Sequence, residues 1–335
     1  MRIGSFDIEH PLCLAPMEDV TDLPFRKLCS DFGAQVLFTE FANCEAVIRN
    51  IDSEISKFNI EKDARPIGIQ LYGSNPESLE KAAHIASASY PDFIDLNCGC
   101  WVKKIAGRGD GAGLLRDLKR LEAAVQAVQR GSSVPVSVKT RLGWDNEQYV
   151  ILELAPRLRD MGIQFLTVHC RTRVQGYRGD ADWSWFPRIK EAAPDLPLIG
   201  NGDITTPKEA AACFSLGCDG VMIGRAAIQQ PWVFRAMRSY LEDGVQLPEP
   251  TLDEQLDWCI AHLRAHVAFR GVPRGIYSFR RYYAAYLRGV TNIARLRRDL
   301  MQLMDTEAIV DRIRAFQSNR AEEDTASAEE DAPAL

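Results

Sequence analysis

The sequence contains no apolar run close to the ~20 residues that a bilayer-spanning helix needs. Its first residues show no signal-peptide pattern. Nine cysteines occur without regular spacing, which argues against a disulfide scaffold and favours a reducing compartment. We therefore expect a cytoplasmic protein without a membrane association. With 335 residues and 46% hydrophobic content, the chain can bury the core of one large domain and a smaller one.

Lysine is absent from residues 258–320, although this segment holds 12 arginines against four acidic residues. Its net charge is +8 in a chain whose total is −6, and the last 15 residues carry six acidic and no basic residues. A cationic segment on an acidic protein is typical of binding to an anionic partner, with nucleic acid as the first candidate. A solvated helix surface whose arginines pair with acidic groups of the same protein explains the charge equally well.

Short apolar segments typical of strands alternate with segments of helical periodicity. Strands are predicted at residues 12–15, 36–39, 67–71, 93–96, 134–139, 165–168, 196–200 and 220–223, and helices at 77–89, 119–129, 149–161 and 207–216. Eight such units over roughly 240 residues predict an α/β fold, a (β/α)8 TIM barrel followed by a small C-terminal helical domain. The alternative is a doubly wound sheet, which requires a glycine-rich fingerprint that residues 14–19 lack.

A domain boundary is predicted at the Pro248-Glu249-Pro250 segment, after which no strand pattern recurs. We expect a catalytic barrel at residues 1–247, a helical domain at 248–318 and an acidic disordered tail at 319–335. Residues 280–289 interleave arginine with tyrosine. Arginine can clamp phosphates and tyrosine can stack on unpaired bases, so this segment is a candidate RNA contact. A small bundle with tyrosines in its core is the other interpretation.

The predicted strand at 93–96 leads into Asn97, two cysteines spaced Cys-x-Cys and a basic, glycine-rich loop. A metal site is disfavoured because no second cysteine pair and no histidine-rich segment follows. Most free cysteines are small core residues, and Cys98 fits that role. Cys100 lies beyond the strand, between Gly99 and the cationic loop, where a thiol is accessible for chemistry. We therefore select Cys100 as the candidate reactive residue.

Residues that follow the strands of a barrel meet at one rim, where such folds carry their active sites. The residues in these positions are Pro16, Met17, Glu40, Gln70, Asn97, Cys100, Lys139, Arg141, His169, Arg171, Asn201, Gly202, Asp203, Gly224 and Arg225. Glycines after the seventh and eighth strands allow backbone amides to approach a ligand, and these loops are the usual phosphate site of barrels. Tight turn geometry explains each glycine equally well when it is taken singly.

These residues lie in motifs that resemble the dihydrouridine synthase family, flavin enzymes that reduce specific uridines in tRNA. The motifs are Leu14-Ala15-Pro16-Met17, Ile69-Gln70-Leu71, Asp95-Leu96-Asn97-Cys98-Gly99-Cys100, Val138-Lys139-Thr140-Arg141-Leu142-Gly143-Trp144, Val168-His169-Cys170-Arg171, Asn201-Gly202-Asp203-Ile204 and Met222-Ile223-Gly224-Arg225-Ala226. The resemblance extends to about residue 317 and implies an FMN-binding barrel followed by a helical RNA-binding domain. One departure is Trp101, which stands where the family usually has proline. Because tryptophan lacks the fixed φ of proline, the loop and the choice of RNA target can differ.

The resemblance implies a role for each motif residue. The flavin would be lined by Pro16, Met17 and the backbone of Glu18. Its ring and ribityl chain would be bonded by Gln70, Lys139 and His169, and its phosphate end would be held by Asn201, Gly202, Asp203, Gly224 and Arg225. The uracil would face Asn97 and Arg141, and the general acid would be Cys100. The cofactor would be FMN, the reductant NADPH or NADH and the partner tRNA, and we expect a monomer.

This chemistry is consistent with the residue types. A hydride added at C6 of uracil leaves negative charge toward O4, so a donor must protonate C5. A thiol with a pKa near ~8.5 is mostly protonated at neutral pH and can be that acid. Three alternatives remain. They are a flavin-dependent reductase of a small pyrimidine-like metabolite, dihydrouridine formation in ribosomal RNA, and an RNA-binding factor with little catalysis.

Overall fold

The computed structural model describes residues 1–60, 64–287 and 293–330, with residues 321–330 described by their backbone alone. Its main sheet contains nine parallel strands. Eight of them form the barrel and are numbered β1 to β8, and the ninth is the short strand Ala42–Asn43, which pairs with residues 71 and 72. The barrel strands are β1 (Leu12–Leu14), β2 (Leu37–Phe38), β3 (Ile67–Tyr72), β4 (Phe93–Cys98), β5 (Val136–Arg141), β6 (Leu166–His169), β7 (Leu198–Asn201) and β8 (Gly220–Ile223). The predicted strands are therefore all present.

The strands pair in chain order and close into a ring. Each strand from β2 to β8 pairs in parallel with the next. The ring closes where β8 pairs with β1 through Ile223 and Leu14, and where β1 meets β2 at the Cys13–Val36 bridge. This arrangement confirms the predicted TIM barrel and excludes a doubly wound sheet, which would be open at both edges.

The strand ends differ from the predicted ones in a way that matters for the site. β5 begins at Val136, two residues later than predicted, because Pro135 has no N–H to donate to a ladder. β4 and β5 continue to Cys98 and Arg141. Residues that the sequence placed just beyond the strands therefore lie within them, where alternate side chains face the barrel interior.

Helices and short elements connect the strands. The longer helices of this part of the chain are Leu23–Asp31, Pro76–Ser87, Leu118–Gly131, Ile151–Asp160, Trp185–Ala192, Pro207–Ser215 and Val233–Asp243. The shorter elements are the strand pair Arg2–Ile3 and Phe6–Asp7, the strand Ala42–Asn43, the helices Cys44–Val47, Asp52–Ile55, Lys103–Ala106 and Arg225–Gln229, and the 3-10 turns Ser56–Phe58 and Gly111–Arg116. Several helix starts carry a capping residue, such as Asn75 before Pro76, which satisfies a backbone N–H.

Aromatic side chains fill the amino end of the barrel. Phe93 lies edge-on to Phe38 and to Phe165, with ring centroids 5.1 Å apart in both pairs. Ile3 of the N-terminal strand pair packs into the same buried cluster. Gly68 makes room for this plug, because a Cβ at that position would lie 2.0 Å from the Phe93 ring. The amino end is therefore closed by packed side chains.

The chain divides into two compact units, residues 1–227 with 231–247, and residues 228–230 with those from 248 onward. The second unit contains the helices Leu252–Arg270, Arg274–Phe279, Tyr283–Tyr286, Ile293–Leu300 and Thr306–Glu330, with the 3-10 turn Arg280–Tyr282. Tyr282, Tyr283 and Tyr286 are buried, so these tyrosines belong to a bundle core. Arg288 and Gly289 of the same motif lie outside the described residues.

The helix Thr306–Glu330 includes residues 319–330, for which the composition predicts disorder. The alanines and glutamates of this segment are strong helix formers, which explains the helical backbone. Residues 331–335 of the predicted tail lie outside the described part. Across the described ranges, no helix combines the length and apolar character that crossing a membrane requires.

Candidate active site

The carboxyl ends of the strands bring the predicted site residues to one rim. In the sheet register, Asn97 is paired with Lys139, and Arg141 is paired with His169. His169 is in turn paired with Asn201. These five side chains therefore come from adjacent positions on four neighbouring strands, as the barrel pattern predicts.

A chain of side-chain hydrogen bonds begins at Asp95 on β4. Its carboxylate accepts from the Ser137 hydroxyl at 2.6 Å and from Nε2 of Gln70 at 2.7 Å. Oε1 of Gln70 accepts in turn from Nδ2 of Asn97 at 2.8 Å. Burial raises the pKa of Asp95 to about 6, against hydrogen bonds that favour its charged form. Asp95 is therefore mostly ionised at neutral pH, and as an acceptor it fixes which way both amides point.

The chain ends at the backbone of Cys100. Oδ1 of Asn97 accepts from the backbone N–H groups of Gly99 and Cys100, at 3.0 and 2.9 Å. The carbonyl of Cys100 accepts from the N–H of Ala112 at 3.1 Å. Gly111, with φ +54°, packs against Cys100 so closely that a Cβ would lie 2.9 Å from the Cys100 Cβ. The cysteine is thus fixed from both sides.

The Cys100 thiol is half-buried, whereas the other eight cysteines are buried. Burial raises its pKa above the ordinary value, and the N–H of Val102 and the charge of Arg141 oppose this to a lesser extent. The thiol is therefore protonated at neutral pH. It can act as a proton donor, and the reactive assignment of Cys100 stays a prediction.

Lys139 provides a half-buried cation on the neighbouring strand β5. Burial, followed by the charge of Arg141, lowers its pKa to about 8, so most of it stays charged at pH 7. Its ammonium donates to Oδ1 of Asn201 at 3.1 Å, and Nδ2 of Asn201 donates to the carbonyl of Met222 at 2.7 Å. An ammonium group has three donors, so two remain for a ligand.

His169 lies beside an arginine and aspartate cluster. Its Nε2 is 3.2 Å from Nη1 of Arg171, which also donates to Oδ1 of Asp203 at 3.0 Å. Nη2 of Arg225 donates to the same oxygen at 2.6 Å. Burial, and then the charges of surrounding cations, lower the pKa of His169 well below its ordinary value. The imidazole is therefore neutral in a strongly positive site.

Two glycines leave bare backbone beside these groups. A Cβ on Gly202, where φ is +116°, would lie 2.8 Å from the His169 ring. Gly224 borders Met17, whose sulfur would be 3.8 Å from a Cβ at that position. Pro16 and Met17 are half-buried, and Glu18 forms a salt bridge with Lys57 at 2.8 Å. The loop after β1 thus lies beside the loop after β8.

Arg141 holds two loops through three backbone carbonyls. Its Nε donates to Gly99 at 2.9 Å, and its Nη1 donates to Thr172 at 3.0 Å and to Gly176 at 2.9 Å. The side chain is 2% exposed. Burial lowers its pKa to about 10, which still leaves it fully charged at neutral pH. Arg141 therefore ties the loop of Cys100 to the loop after β6.

Trp101 and Tyr177 connect the same loops at the surface. Their rings meet edge-on with centroids 5.6 Å apart, and Trp101 is 40% exposed. The guanidinium carbon of Arg225 lies 4.5 Å from the Tyr177 centroid. Trp101, the departure from the motif noted in the sequence, thus makes an aromatic contact with Tyr177.

Sequence reasoning assigned no role to Asp95, Ser137 or Tyr177. The signal for Asp95 was its position two residues before Asn97 on the same strand, which puts both on the inward face. Ser137 lies beside Asp95 in the register of β5. Tyr177 comes from an irregular loop, and no periodicity marks it.

A parallel eight-stranded barrel whose carboxyl rim gathers a protonated thiol, buried cations and oriented amides defines an enzyme of the (β/α)8 class. The family follows from similarity to known proteins. The family model "Dihydrouridine synthase (Dus)" matches residues 13–321. The chain is 36% identical to tRNA-dihydrouridine synthase B of Pseudomonas putida, over 96% of this chain and 95% of that one. It is 32% identical to the Vibrio cholerae protein of the same name, over 96% and 100%. The chain belongs to the dihydrouridine synthase family.

Solved structures agree on the fold. A morphinone reductase variant superposes with a TM-score of 0.55 at 13% identity, covering 75% of this chain and 92% of that one. A variant of NCR from Zymomonas mobilis gives 0.52 at 17% identity, with 75% and 92% covered. At such identities these neighbours support the barrel architecture alone.

Proposed function

We propose that this protein uses FMN and NADPH to reduce the C5=C6 bond of specific uridines in tRNA. Its membership of the dihydrouridine synthase family supports this, together with the names of its bacterial relatives. The observation that carries the proposal is Cys100. Its thiol is kept protonated by burial and is fixed at the rim by Asn97.

The residues at the rim suit an FMN. The groups that would bond its ring and ribityl chain are Gln70, Lys139 and His169, and the walls would be Pro16, Met17 and the backbone of Glu18. Asn201, Gly202, Gly224 and Arg225 would hold the phosphate end, with Gly202 and Gly224 leaving the backbone bare for close approach. Asp203 would act indirectly, because its carboxylate orients Arg171 and Arg225.

The charges in this site suit an anionic cofactor. The pKa of His169 is lowered by burial and then by the charges of Arg141, Lys139, Arg171 and Arg225. These four cations are therefore all close to His169. A phosphate and a polar ring edge would relieve their mutual repulsion. Lys139, with two free donors, would hold the polar edge of the ring.

Reduced FMN, when bound, supplies a hydride to C6 of the uracil. The electron pair of the C5=C6 bond then takes a proton at C5 from the Cys100 thiol, which leaves a thiolate. Solvent returns the proton to that thiolate, and NADPH supplies two electrons for the next turnover. The thiol suits this step because its raised pKa keeps the proton available at neutral pH.

Asn97 and Arg141 would face the uracil. The amide of Asn97 uses one N–H on Gln70 and keeps the second for a base carbonyl. Arg141 uses Nε and Nη1 on backbone carbonyls, which leaves Nη2 for the uracil. Because these bonds also fix the loop of Cys100, the groups that would bind the base also position the acid.

The helical unit would hold the RNA. Among the described residues of this unit, Arg264 pairs with Glu307, Arg312 with Asp299 and Arg314 with Asp257. The helix Ile293–Leu300 also carries exposed arginines, and its buried residues are Leu296 and Leu300. Part of the cationic segment thus pairs within the protein, and the exposed arginines of this helix are the ones we assign to phosphates.

The test uses tRNA from a strain that lacks the gene for this protein, with purified flavin-loaded enzyme and NADPH. We expect dihydrouridine in tRNA with the wild type. Cys100→Ala should keep its flavin absorbance, and its rate of uridine reduction should be lower by a factor of about 10²–10⁴. Cys98→Ala is the matched control, because that thiol is buried in β4. Full activity of Cys100→Ala would show that Cys100 is not the general acid. If the enzyme reduced free pyrimidines but no RNA, the substrate would be a small metabolite instead of tRNA. If it reduced ribosomal RNA but no tRNA, the substrate would be ribosomal RNA.

A further inference from the structure

The loop after β4 carries a second basic surface, which lies on the barrel unit. Residues 103–120 contain six basic and two acidic residues, although residues 1–257 together carry a net charge of −8. We define the β4 basic surface as Arg108, Arg116 and Arg120 with Trp144 and Arg173. The first three arginines are exposed and line a cavity of about 230 Å³.

Two of these arginines are gathered at one indole ring. The guanidinium carbons of Arg116 and Arg173 each lie 4.6 Å from the centroid of Trp144. Trp144 is half-buried, and its carbonyl accepts from the N–H of Val174 in the loop after β6 at 3.0 Å. The ring therefore holds two like charges near each other by cation–π contact. Two like charges at one ring repel each other, and an anion bound beside them would offset that repulsion.

Among the described residues, the arginines of this surface have no carboxylate partner. Over the described ranges, Arg108, Arg116, Arg120 and Arg173 form no salt bridge, and the buried Nε of Arg173 has no hydrogen-bond partner. Elsewhere on the same unit, surface arginines pair with carboxylates, as Arg130 does with Glu80. An unpaired arginine cluster beside paired ones is the pattern expected of an anion-binding surface.

Asp117 also lines the cavity, but its carboxylate already accepts hydrogen bonds from the backbone. Asp117 caps the helix Leu118–Gly131 by accepting from the N–H groups of Lys119 and Arg120, at 3.1 and 3.2 Å. The guanidinium of Arg120 lies against Gly109, where a Cβ would be 3.4 Å from its Nη2. With φ +93°, Gly109 adopts a conformation that favours glycine. The arginine therefore lies along bare backbone with its charge toward the cavity.

This surface adjoins the reactive loop. The 3-10 turn that ends at Arg116 begins at Gly111, which packs on Cys100. Arg173 directly follows Thr172, whose carbonyl is held by Arg141, and Arg141 also holds the carbonyl of Gly99. Both sides of the cluster are thus linked to the segment that carries the proposed acid.

We propose that the β4 basic surface binds the phosphates of the RNA strand that flank the target uridine. This inference rests on the proposed function, and it adds a contact site on the barrel to the one in the helical unit. Several exposed arginines along one loop suit a strand with repeated phosphates, and a single dinucleotide would engage only part of them. Phosphates held there would fix the position of the base over the rim beside Cys100.

The test compares Arg116→Gln and Arg120→Gln with Arg2→Gln in flavin-loaded, full-length protein. Arg2 is an exposed arginine at the closed amino end of the barrel. We expect each glutamine variant of the surface to raise the KM for tRNA about tenfold with kcat little changed. The slope of log affinity against log salt should fall by about 0.7 for each lost phosphate contact. Arg116→Lys should recover the salt slope and only part of the affinity, because lysine keeps the charge and loses the planar contact with Trp144.

Three results would overturn this proposal. One is a KM and a salt slope for both variants equal to those of Arg2→Gln. A second is a raised KM for NADPH with unchanged tRNA binding, which would make the surface a dinucleotide phosphate site. The third is a fall in kcat without a change in KM. If Arg116→Gln loses its flavin, the result with Arg120→Gln tests the proposal, because that substitution leaves the contacts of Trp144 unchanged. Absence of dihydrouridine with the wild-type protein would refute the proposed function instead.

Discussion

Replacing Asn97 by aspartate tests the direction of the hydrogen-bond chain that ends at Cys100. The substitution keeps the shape and one acceptor oxygen, which can still accept from the N–H groups of Gly99 and Cys100. It removes the amide donor to Oε1 of Gln70, now 2.8 Å away. Two acceptors then face each other in a buried site. Turning the Gln70 amide around only moves the conflict, because its oxygen would then face the carboxylate of Asp95.

The expected cost follows from these contacts. Losing one hydrogen bond and leaving a buried acceptor unsatisfied lowers the free energy of unfolding by about 2–4 kcal/mol at pH 8. One extra proton restores a donor, whether the new carboxyl or Asp95 takes it, and the pKa of Asp95 is already raised to about 6. The folded variant therefore binds more protons than the unfolded chain. Its stability relative to the wild type should fall as pH rises from 5.5 to 8.

Urea unfolding at pH 5.5, 7 and 8 measures this difference. Asn75→Asp is the matched control, because Asn75 is an exposed helix cap whose oxygen accepts from the N–H of Ser78 at 3.1 Å. Aspartate caps as well as asparagine, so the control should be nearly neutral at each pH. If Asn97→Asp were as stable as the control at pH 8, or if its stability deficit grew toward acid pH, the proposed donor directions would be wrong.

Three further predictions concern single groups. Gly68→Ala should lower the free energy of unfolding by about 1–3 kcal/mol in chemical denaturation, since its Cβ would lie 2.0 Å from the Phe93 ring; an unchanged midpoint would contradict the packing of the amino end. Lys139→Gln should weaken FMN binding in fluorescence titration, and the wild-type affinity should fall above pH 8 as the ammonium deprotonates, whereas the variant should lack that pH dependence. Alkylation of Cys100 by iodoacetamide should be slow at pH 7 and still rise with pH above 9, because burial raises the pKa of the thiol; a plateau below pH 8 would indicate a thiolate instead of an acid.

The strand pattern could be predicted from sequence because buried parallel strands are short apolar runs between helical segments. β4 illustrates both the strength and the limit of this reasoning. Phe93 to Leu96 marks it clearly, but the strand continues through the polar Asn97 to Cys98. Hydropathy places polar residues outside a strand, whereas an inward position at a barrel mouth accepts them. The inward pairing of Asp95 with Gln70 therefore emerged only from the register.

Contacts between distant loops could not be predicted. The carboxylate of Asp203 lies between Arg171 and Arg225, and this arrangement depends on three loop conformations that no periodicity records. Sequence could not distinguish core tyrosines from exposed ones in the segment after Arg280, because helix faces are set by the packing of the bundle. For residues 319–330, the acidic composition favours disorder, whereas the helix propensity of alanine and glutamate agrees with the helical backbone.

The phenylalanine plug at the amino end has a kinetic consequence. With Phe38, Phe93 and Phe165 sealing that end, the nicotinamide and the pyrimidine of the proposed function would both have to reach the flavin ring from the carboxyl side. The oxidised dinucleotide would then have to leave before the nucleic acid binds. Steady-state rates measured at several NADPH concentrations should give parallel double-reciprocal lines, the signature of a substituted-enzyme mechanism in which the two substrates take turns.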